Sequence, residues 1–301
     1  MTANQLKLSQ LRAFVAVADC GNFSEAALKL DVSQSSISHA IAALEEELGV
    51  TLLHRGRHGA NLTPTGDQIL VRAKRILNEL QDIGAIANHA RGLEGGLVRV
   101  ATFRSMATNI IPVVIAYLQR EAPGIEIAIV EYHHMSEVER SLRQGQADIA
   151  VAVPPETEGF DTWEILQDDY IAVVPSSSDV AGNQMTWKQL SKYPLIVSSC
   201  RDCSRWIHTY IEQSEFPLHI AQEIRSDSII LGMAAQHLGV GILPRMATEP
   251  LPPGLKVCNL PAPLHRSITV SLLTDGLHTP ATYAFLKAMH WYQDCNTSAV
   301  S

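Results

Sequence analysis

Ser33-Gln34-Ser35-Ser36-Ile37-Ser38-His39-Ala40-Ile41 is the stretch whose reading decides this chain. Ser33 suits a helix N-cap, because its hydroxyl can accept an otherwise orphaned amide of the first turn. Behind it Ile37, Ile41, Leu44 and Leu48 recur at steps of four, three and four, which gives one helix face to a core. At about 100° per residue the opposite face is centred on Ser35, His39 and Ala42, with Gln34 and Ser38 on its flank. An ordinary solvated face carries Lys and Glu, yet no acid appears here until Glu45, Glu46 and Glu47. The N-terminal half of this helix is therefore shaped to approach something anionic.

The preceding residues supply a scaffold. Leu11, Phe14, Val15 and Ala18 make one amphipathic helix, Ser24 is expected to cap a short second helix from Glu25 to Leu30, and Asp31-Val32 turns into Ser33. Such an order is a helix-turn-helix, whose second helix enters the DNA major groove by its N-terminal residues. After Gly49, the segment Leu52 to Leu62 reads as a β-hairpin whose tip holds Arg55, Gly56, Arg57, His58 and Gly59, suited to lie on phosphate.

With these residues in place, positions 8 to 66 resemble the winged helix-turn-helix of the LysR-type transcriptional regulators. The resemblance runs through Leu8-Ser9-Gln10-Leu11-Arg12-Ala13-Phe14, Gly21-Asn22-Phe23-Ser24, Ala26-Ala27, Ser33 to Ser38, Leu44-Glu45, Leu48-Gly49, Arg55 and Leu62-Thr63-Pro64-Thr65-Gly66. Leu53 and Thr65 depart from it, where the family more often shows Phe and Ala. The DNA-binding residues expected are Ser33, Gln34, Ser35, Ser38, His39, Arg55 and Arg57.

Thr63-Pro64 combines a cap with a proline at the first helical position, and nothing breaks a helix from there to Arg91. Ile69, Ala73, Ile76, Leu80, Ile83 and Ala87 form a heptad seam along it, whose simplest use is helix association. The resemblance implies a dimerisation linker, with pairing of dimers into a homotetramer, and Ile69, Ala73, Ile76, Leu80 and Ile83 as its contacts.

Beyond the Gly92 to Gly96 hinge, strands alternate with helices. Strands are expected at Leu97–Phe103, Ile125–Val130, Ala147–Val153, Tyr170–Val174, Leu195–Ser199, Val240–Leu243 and Ile268–Leu273. Helices are expected at Ala107–Arg120, Glu137–Gln144, Ser204–Ser214, Asp227–Leu238 and from Pro280 to about Tyr292. Repeated β-α-β units imply largely parallel sheets with ligands at the strand ends. Leu142 to Ala150 and Gly239 to Pro244 also resemble the LysR effector domain, a periplasmic-binding-protein-like pair of lobes.

The expected fold class is thus α/β overall: a winged helix-turn-helix over 1–63, a linker helix over 64–92, a hinge over 93–96 and a two-lobed effector domain over 97–301. Lobe 1 takes about 97–168 and 267–301, lobe 2 about 169–266. Two strand-to-helix junctions should face the cleft between lobes, giving Thr102, Arg104, Ser105, Ser198, Ser199, Cys200 and Cys203 as effector-binding residues. Helix N-termini present free amides, so a small anion fits there, with Arg104 as counter-charge and Ser105 as a lining residue or a cap.

Composition narrows the function further. Nine of the 23 basic and nine of the 31 acidic residues fall in 1–92, so the net charge of −8 resides in the C-terminal part and the head is neutral. A neutral head still permits local positive potential on a DNA face. No apolar run reaches the length of a membrane span, and five scattered cysteines do not make a disulfide framework, so a cytoplasmic protein with reduced thiols is expected. His54/His58 and His133-His134 lack the companions of a zinc site, no nucleophile has an assignable base, and neither cofactor, metal nor catalysis is expected. The expected partners are double-stranded promoter DNA, a small-molecule effector and RNA polymerase, with no membrane. A solute-binding protein or enzyme could use the same two lobes but would leave residues 8 to 66 unexplained. A thiol-based redox sensor using Cys200 and Cys203 is the remaining alternative, because a helix start and nearby Arg201 and Arg205 favour a thiolate.

Overall fold

The computed structural model describes residues 6–56, 59–90, 95–180, 182–199 and 201–300, in two compact units. The first begins with α1 (Leu8–Cys20), α2 (Phe23–Lys29) and α3 (Gln34–Leu48). Phe14, Val17, Ala26, Ile37, Ile41, Leu44 and Leu52 are buried as its core, each large apolar side chain contributing roughly 1.5–3 kcal/mol. Gly21 ends α1 in the left-handed region at φ 72°, which only glycine adopts without strain. Chain direction is then set early enough for Asn22, not Ser24, to cap α2, its Oδ1 accepting the Glu25 amide at 2.7 Å. The expected start of that helix is corrected by two residues.

Strands β1 (Leu53–Gly56) and β2 (Gly59–Leu62) pair antiparallel as the expected hairpin. Two contacts pin it. The Ala60 amide donates to the Gly21 carbonyl at 2.7 Å, and a Cβ at Gly59 would stand 2.4 Å from that same oxygen. On the other strand, Glu45 of α3 accepts the amides of Leu52 and Leu53 at 2.7 and 3.1 Å. Helix α4 (Pro64–Ala90) follows. Thr63 anchors its start, accepting the Gly66 amide and donating to the Thr51 carbonyl, both at 2.8 Å.

The expected seam of α4 divides. Ala73 is 1% exposed inside the core of its own unit, with Ile69, Leu70 and Leu77 packed partly against it, whereas Ile76 and Ile83 are 45% and 62% exposed. Ala73 as a dimer contact is therefore corrected: the first turns of α4 must cover α1, and its methyl is used there.

The second unit runs β3 (Gly96–Thr102), α5 (Arg104–Asn109), α6 (Ile111–Glu121), β4 (Ile125–Glu131), α7 (Met135–Arg143), β5 (Ile149–Ala152) and β6 (Phe160–Pro175). It continues with α8 (Trp187–Leu190), β7 (Leu195–Ser198), α9 (Arg201–Glu212), β8 (Ile220–Ile224), α10 (Asp227–Ala235) and β9 (Val240–Pro244). After a 3-10 turn at Arg245–Thr248 come β10 (Leu255–Asn259), β11 (His265–Leu273) and α11 (Pro280–Val300). The strand order is β4-β3-β5-β11-β6-β9-β7-β8, with β10 also on β6. Strand β3 lies parallel to β4 and β5, and β7 parallel to β8 and β9. The long strand β6 runs antiparallel to everything it pairs with: β11 along its first half, β9 and β10 along its second.

One apolar core gathers β3, β5, α5, α6 and the Phe285 face of α11. Two others cover the faces of the β6-β9-β7 sheet, one around Tyr210 and Leu195, the other around Ile230 and Leu243. The single helix expected at Ala107–Arg120 is two, broken at Ile110, with Pro112 in the first turn of the second where its missing amide costs nothing. The expected largely parallel sheets are mixed, because β6, β10 and β11 enter antiparallel. Among the described residues no helix is long and apolar enough to cross a membrane.

Candidate functional site

Two surfaces, one in each unit, gather the residues singled out by sequence. On α3, Ser33 caps the helix, accepting the Ser36 amide at 3.1 Å and sharing hydrogen bonds of 2.8 Å with the hydroxyls of Ser35 and Ser36. Gln34, Ser35, His39 and Ala42 are exposed and Ser38 half-buried, on the side opposite the buried Ile37, Ile41 and Leu44. The first turn holds no acid, so its free amides keep their partial positive charge for an external anion. Glu45, the first acid of the helix, is occupied by the hairpin amides rather than presented on this face. Arg55 stands on β1 opposite Ala60; its side chain, and the whole of Arg57, lie outside the described residues.

In the second unit, β3 ends at Thr102 and α5 opens at Arg104. Thr102 is fully buried, and its hydroxyl donates to the Val151 carbonyl at 2.7 Å. The expectation that it lines the cleft is corrected: its side chain ties β3 to β5. Ser105 is no cap, since Phe103 occupies that position without a side-chain bond. Instead Ser105 accepts a hydrogen bond from Arg266 Nη2 at 2.9 Å. Arg266, on β11, also holds Asp168 of β6 through Nε at 3.0 Å and Nη2 at 2.8 Å. Asp168 in turn accepts the Met246 amide at 3.1 Å. A charge pair this deep is held with both carboxylate oxygens of Asp168 accepting hydrogen bonds.

Arg104 reaches across to Asp227, the first residue of α10, at 3.1 Å. Burial pushes the Asp227 carboxyl above its ordinary range, against the opposing pull of Arg104 and Arg266, and Glu131 raises it further. Around this pair opens a cleft of ≈ 290 Å³ walled by Phe103, Arg104 and Ser105 from one lobe and Ser198, Arg225 and Asp227 from the other. Arg225 lines this cleft and makes no ion pair among the described residues. A second chamber of ≈ 320 Å³ shares Arg104, Ser105 and Ala247 and is otherwise walled by Leu231, Met246, Pro250 and Pro252 together with Thr108, Ser228 and Glu249.

Ser198 thus joins Arg104 and Ser105 at the cleft. Ser199 does not: it is exposed and its amide donates to the Ile224 carbonyl at 3.0 Å, closing the β7–β8 pair. Cys200 lies outside the described residues. Cys203 is the third residue of α9, which starts at Arg201 and not at Ser204, so it falls within the first turn of the helix. Arg266, Asp168, Arg225 and Asp227 were not among the expected site residues. A lone arginine within the alternating, otherwise uncharged run Ser267–Leu273 and its approach was the available signal for Arg266. Among the described residues no cluster of His, Cys, Asp and Glu could hold a metal.

Residues 8–67 match the family model of the bacterial regulatory helix-turn-helix protein, lysR family, and residues 91–291 that of the LysR substrate binding domain. The chain is 42% identical over 284 residues to "Probable HTH-type transcriptional regulator LrrA" of Synechococcus elongatus, covering 94% of this chain and 96% of the relative. It is 35% identical over 184 residues to a "Probable hydrogen peroxide-inducible genes activator" of Mycobacterium xenopi, covering 60% of this chain and 95% of that one. Its fold is that of CbnR, a LysR family transcriptional regulator solved in complex with its target DNA, at a TM-score of 0.75 and 22% identity over 95% of this chain and 99% of the other. With both halves of the chain accounted for, it belongs to the LysR family of transcriptional regulators.

Proposed function

We propose that α3 and the β1–β2 wing bind a double-stranded promoter, and that a small anionic effector held between the two lobes sets the response. The first half is supported by the acid-free, serine-rich exposed N-terminal half of α3. In it Gln34, Ser35, Ser38 and His39 face base edges while Arg55 and Arg57 hold phosphate. The observation that carries the second half is the cleft itself, where Arg104, Arg225 and Ser198 converge. Two chains pair through the exposed part of α4, at Ile76, Leu80 and Ile83, and two pairs make a tetramer.

The test begins with DNA fragments that the purified protein retains from a genomic library. On such a fragment Arg57→Ala weakens binding to all sequences and lowers the salt slope by about one. Gln34→Ala instead relaxes preference at a single base pair, since a glutamine amide can bond adenine in a bidentate manner. Equal loss on cognate and random DNA removes Gln34 from base readout. For the effector, carboxylates and phosphates are titrated by calorimetry: parent and Ser198→Ala binding alike moves the pocket elsewhere.

A second reading, peroxide sensing through Cys203 resolved by Cys200, is favoured by the relatives from Mycobacterium xenopi and Streptomyces viridosporus, both named as probable activators of hydrogen peroxide-inducible genes. It requires rapid iodoacetamide labelling of Cys203 near neutral pH and loss of the peroxide response in Cys203→Ser. An unchanged response ends it.

A further inference from the structure

The Arg104–Asp227 ion pair joins residues 123 positions apart, on the first turn of α5 in one lobe and of α10 in the other. Both side chains keep contact with water, 42% and 23% exposed, unlike the sealed Arg266–Asp168 pair at 4% and 1%. Arg104 is also shared by the two chambers, with Asp227 standing only on the side of the more highly charged one. The pair is therefore a partition between a cleft lined by several charges, Glu131, Arg225 and Asp227 among them, and a chamber lined by few, with Leu231, Met246 and Pro250 in its wall.

From this geometry we infer that Asp227 occupies the place of an effector carboxylate: a bound monocarboxylate takes Arg104 from Asp227 and lays its apolar body in the chamber of Leu231, Met246, Ala247 and Pro250. The inference deepens the cleft reading and rests on it. It assigns the ligand class, an acid with one carboxylate and a chain or ring, and makes Asp227 the residue that sets its affinity.

Three observations support it. An aspartate whose burial disfavours its charge, and keeps its carboxyl above the ordinary range beside Arg104, is a poorly accommodated partner that a better-placed carboxylate can displace. The second chamber has no other charged wall than Arg104 and Glu249, so a second carboxylate on the ligand would meet repulsion from Glu249. Its far side is held in place, because Asn109 of α5 donates to the Met246 carbonyl at 2.9 Å and Asp168 accepts the Met246 amide. Exchange at Arg104 can then open one side of the interlobe contact while the other stays closed.

The experiment is calorimetric titration of the full-length parent, Asp227→Asn and Arg104→Gln with straight-chain monocarboxylates from acetate to octanoate, and with succinate and inorganic phosphate. Circular dichroism and light scattering establish that each variant is folded and assembled like the parent, and Asp227→Ser stands in for Asp227→Asn should that variant fail. Affinity in the parent should rise ~4-fold per methylene until the chamber fills. It should rise on the order of tenfold for every monocarboxylate once Asp227 is neutral, and vanish in Arg104→Gln. If anions bind but Asp227→Asn binds them no tighter, or chain length has no effect, displacement is overturned while the cleft reading stands. If none of these anions binds parent or Asp227→Asn, the anion-cleft reading falls together with it.

Discussion

Arg266 grips the Asp168 carboxylate through two nitrogens, at 3.0 and 2.8 Å, with 4% and 1% of the two side chains left to water. Removing one partner strands the other as a buried charge, which costs about 3–5 kcal/mol, whereas the net worth of the intact pair is small. Arg266→Ala should therefore lower the melting temperature of the effector unit sharply, and Arg266→Met with Asp168→Leu should recover most of it. Calorimetric melting of the three proteins checks this; equal losses in single and double variants would remove stranded charge as the cause.

Glu45 spans recognition helix and wing through the amides of Leu52 and Leu53. Leaving these donors without a partner costs about 1–3 kcal/mol each where water cannot replace it. Glu45→Ala should weaken DNA binding by loosening the wing, while the number of phosphate contacts, read as the slope of log affinity on log salt, falls only if the wing leaves the DNA altogether. Glu45→Gln keeps an acceptor oxygen and should bind close to parent. Measured slopes and affinities for both variants decide between a brace and a bystander.

Ala73 and Ile76, three residues apart on α4, should fail differently. An aspartate at Ala73 buries a carboxylate in the head core and should unfold that unit. An aspartate at the exposed Ile76 should leave the head folded but reduce the mass seen by light scattering. An Ile76→Asp protein of parental mass would take Ile76 out of the interface.

Asp227 has a folded-state carboxyl raised above its ordinary 3.8 by burial. A raised acid binds its proton more tightly folded than unfolded, so it favours the fold below both values and that contribution is lost as pH rises through the folded one. Between the two, parental stability should fall with rising pH relative to Asp227→Asn, which has no such titration. Melting temperatures of both proteins from acid to neutral pH give the difference; parallel profiles would contradict it.

Local signals in the sequence carried the head almost completely. Ser33, Ile37, Ile41 and Thr63-Pro64 act on neighbours within a few residues, so spacing alone places them. Strand β8 (Ile220–Ile224) and the first half of β6 were invisible for the opposite reason. Asp161, Thr162, Trp163 and Glu164 are exposed and read as loop, and only pairing with β11, more than a hundred residues later, makes them a strand. The cleft failed in the same way: Thr102 and Ser105 were placed at the right junction, but their hydrogen bonds to Val151 and Arg266 are set by partners 49 and 161 residues away. Asp227 looked like a helix start, and that is also what it is; its second role appears only once Arg104 arrives from the other lobe.

Because β6 leaves the first lobe and β11 returns to it, the second lobe is an uninterrupted length of chain set inside the first. On a ribosome this fixes an order of completion. The second lobe, 169–264, has all its strands once β10 has emerged, whereas the first waits with β3, β4 and β5 packed on α5 and α6 but with β5 lacking its β11 partner. Its closing pieces, β11 and the Phe285 face of α11, are made last. Nascent chains stalled before β11 should accordingly protect the second lobe from protease and leave the first open, and the cleft is complete only once β11 brings in Arg266.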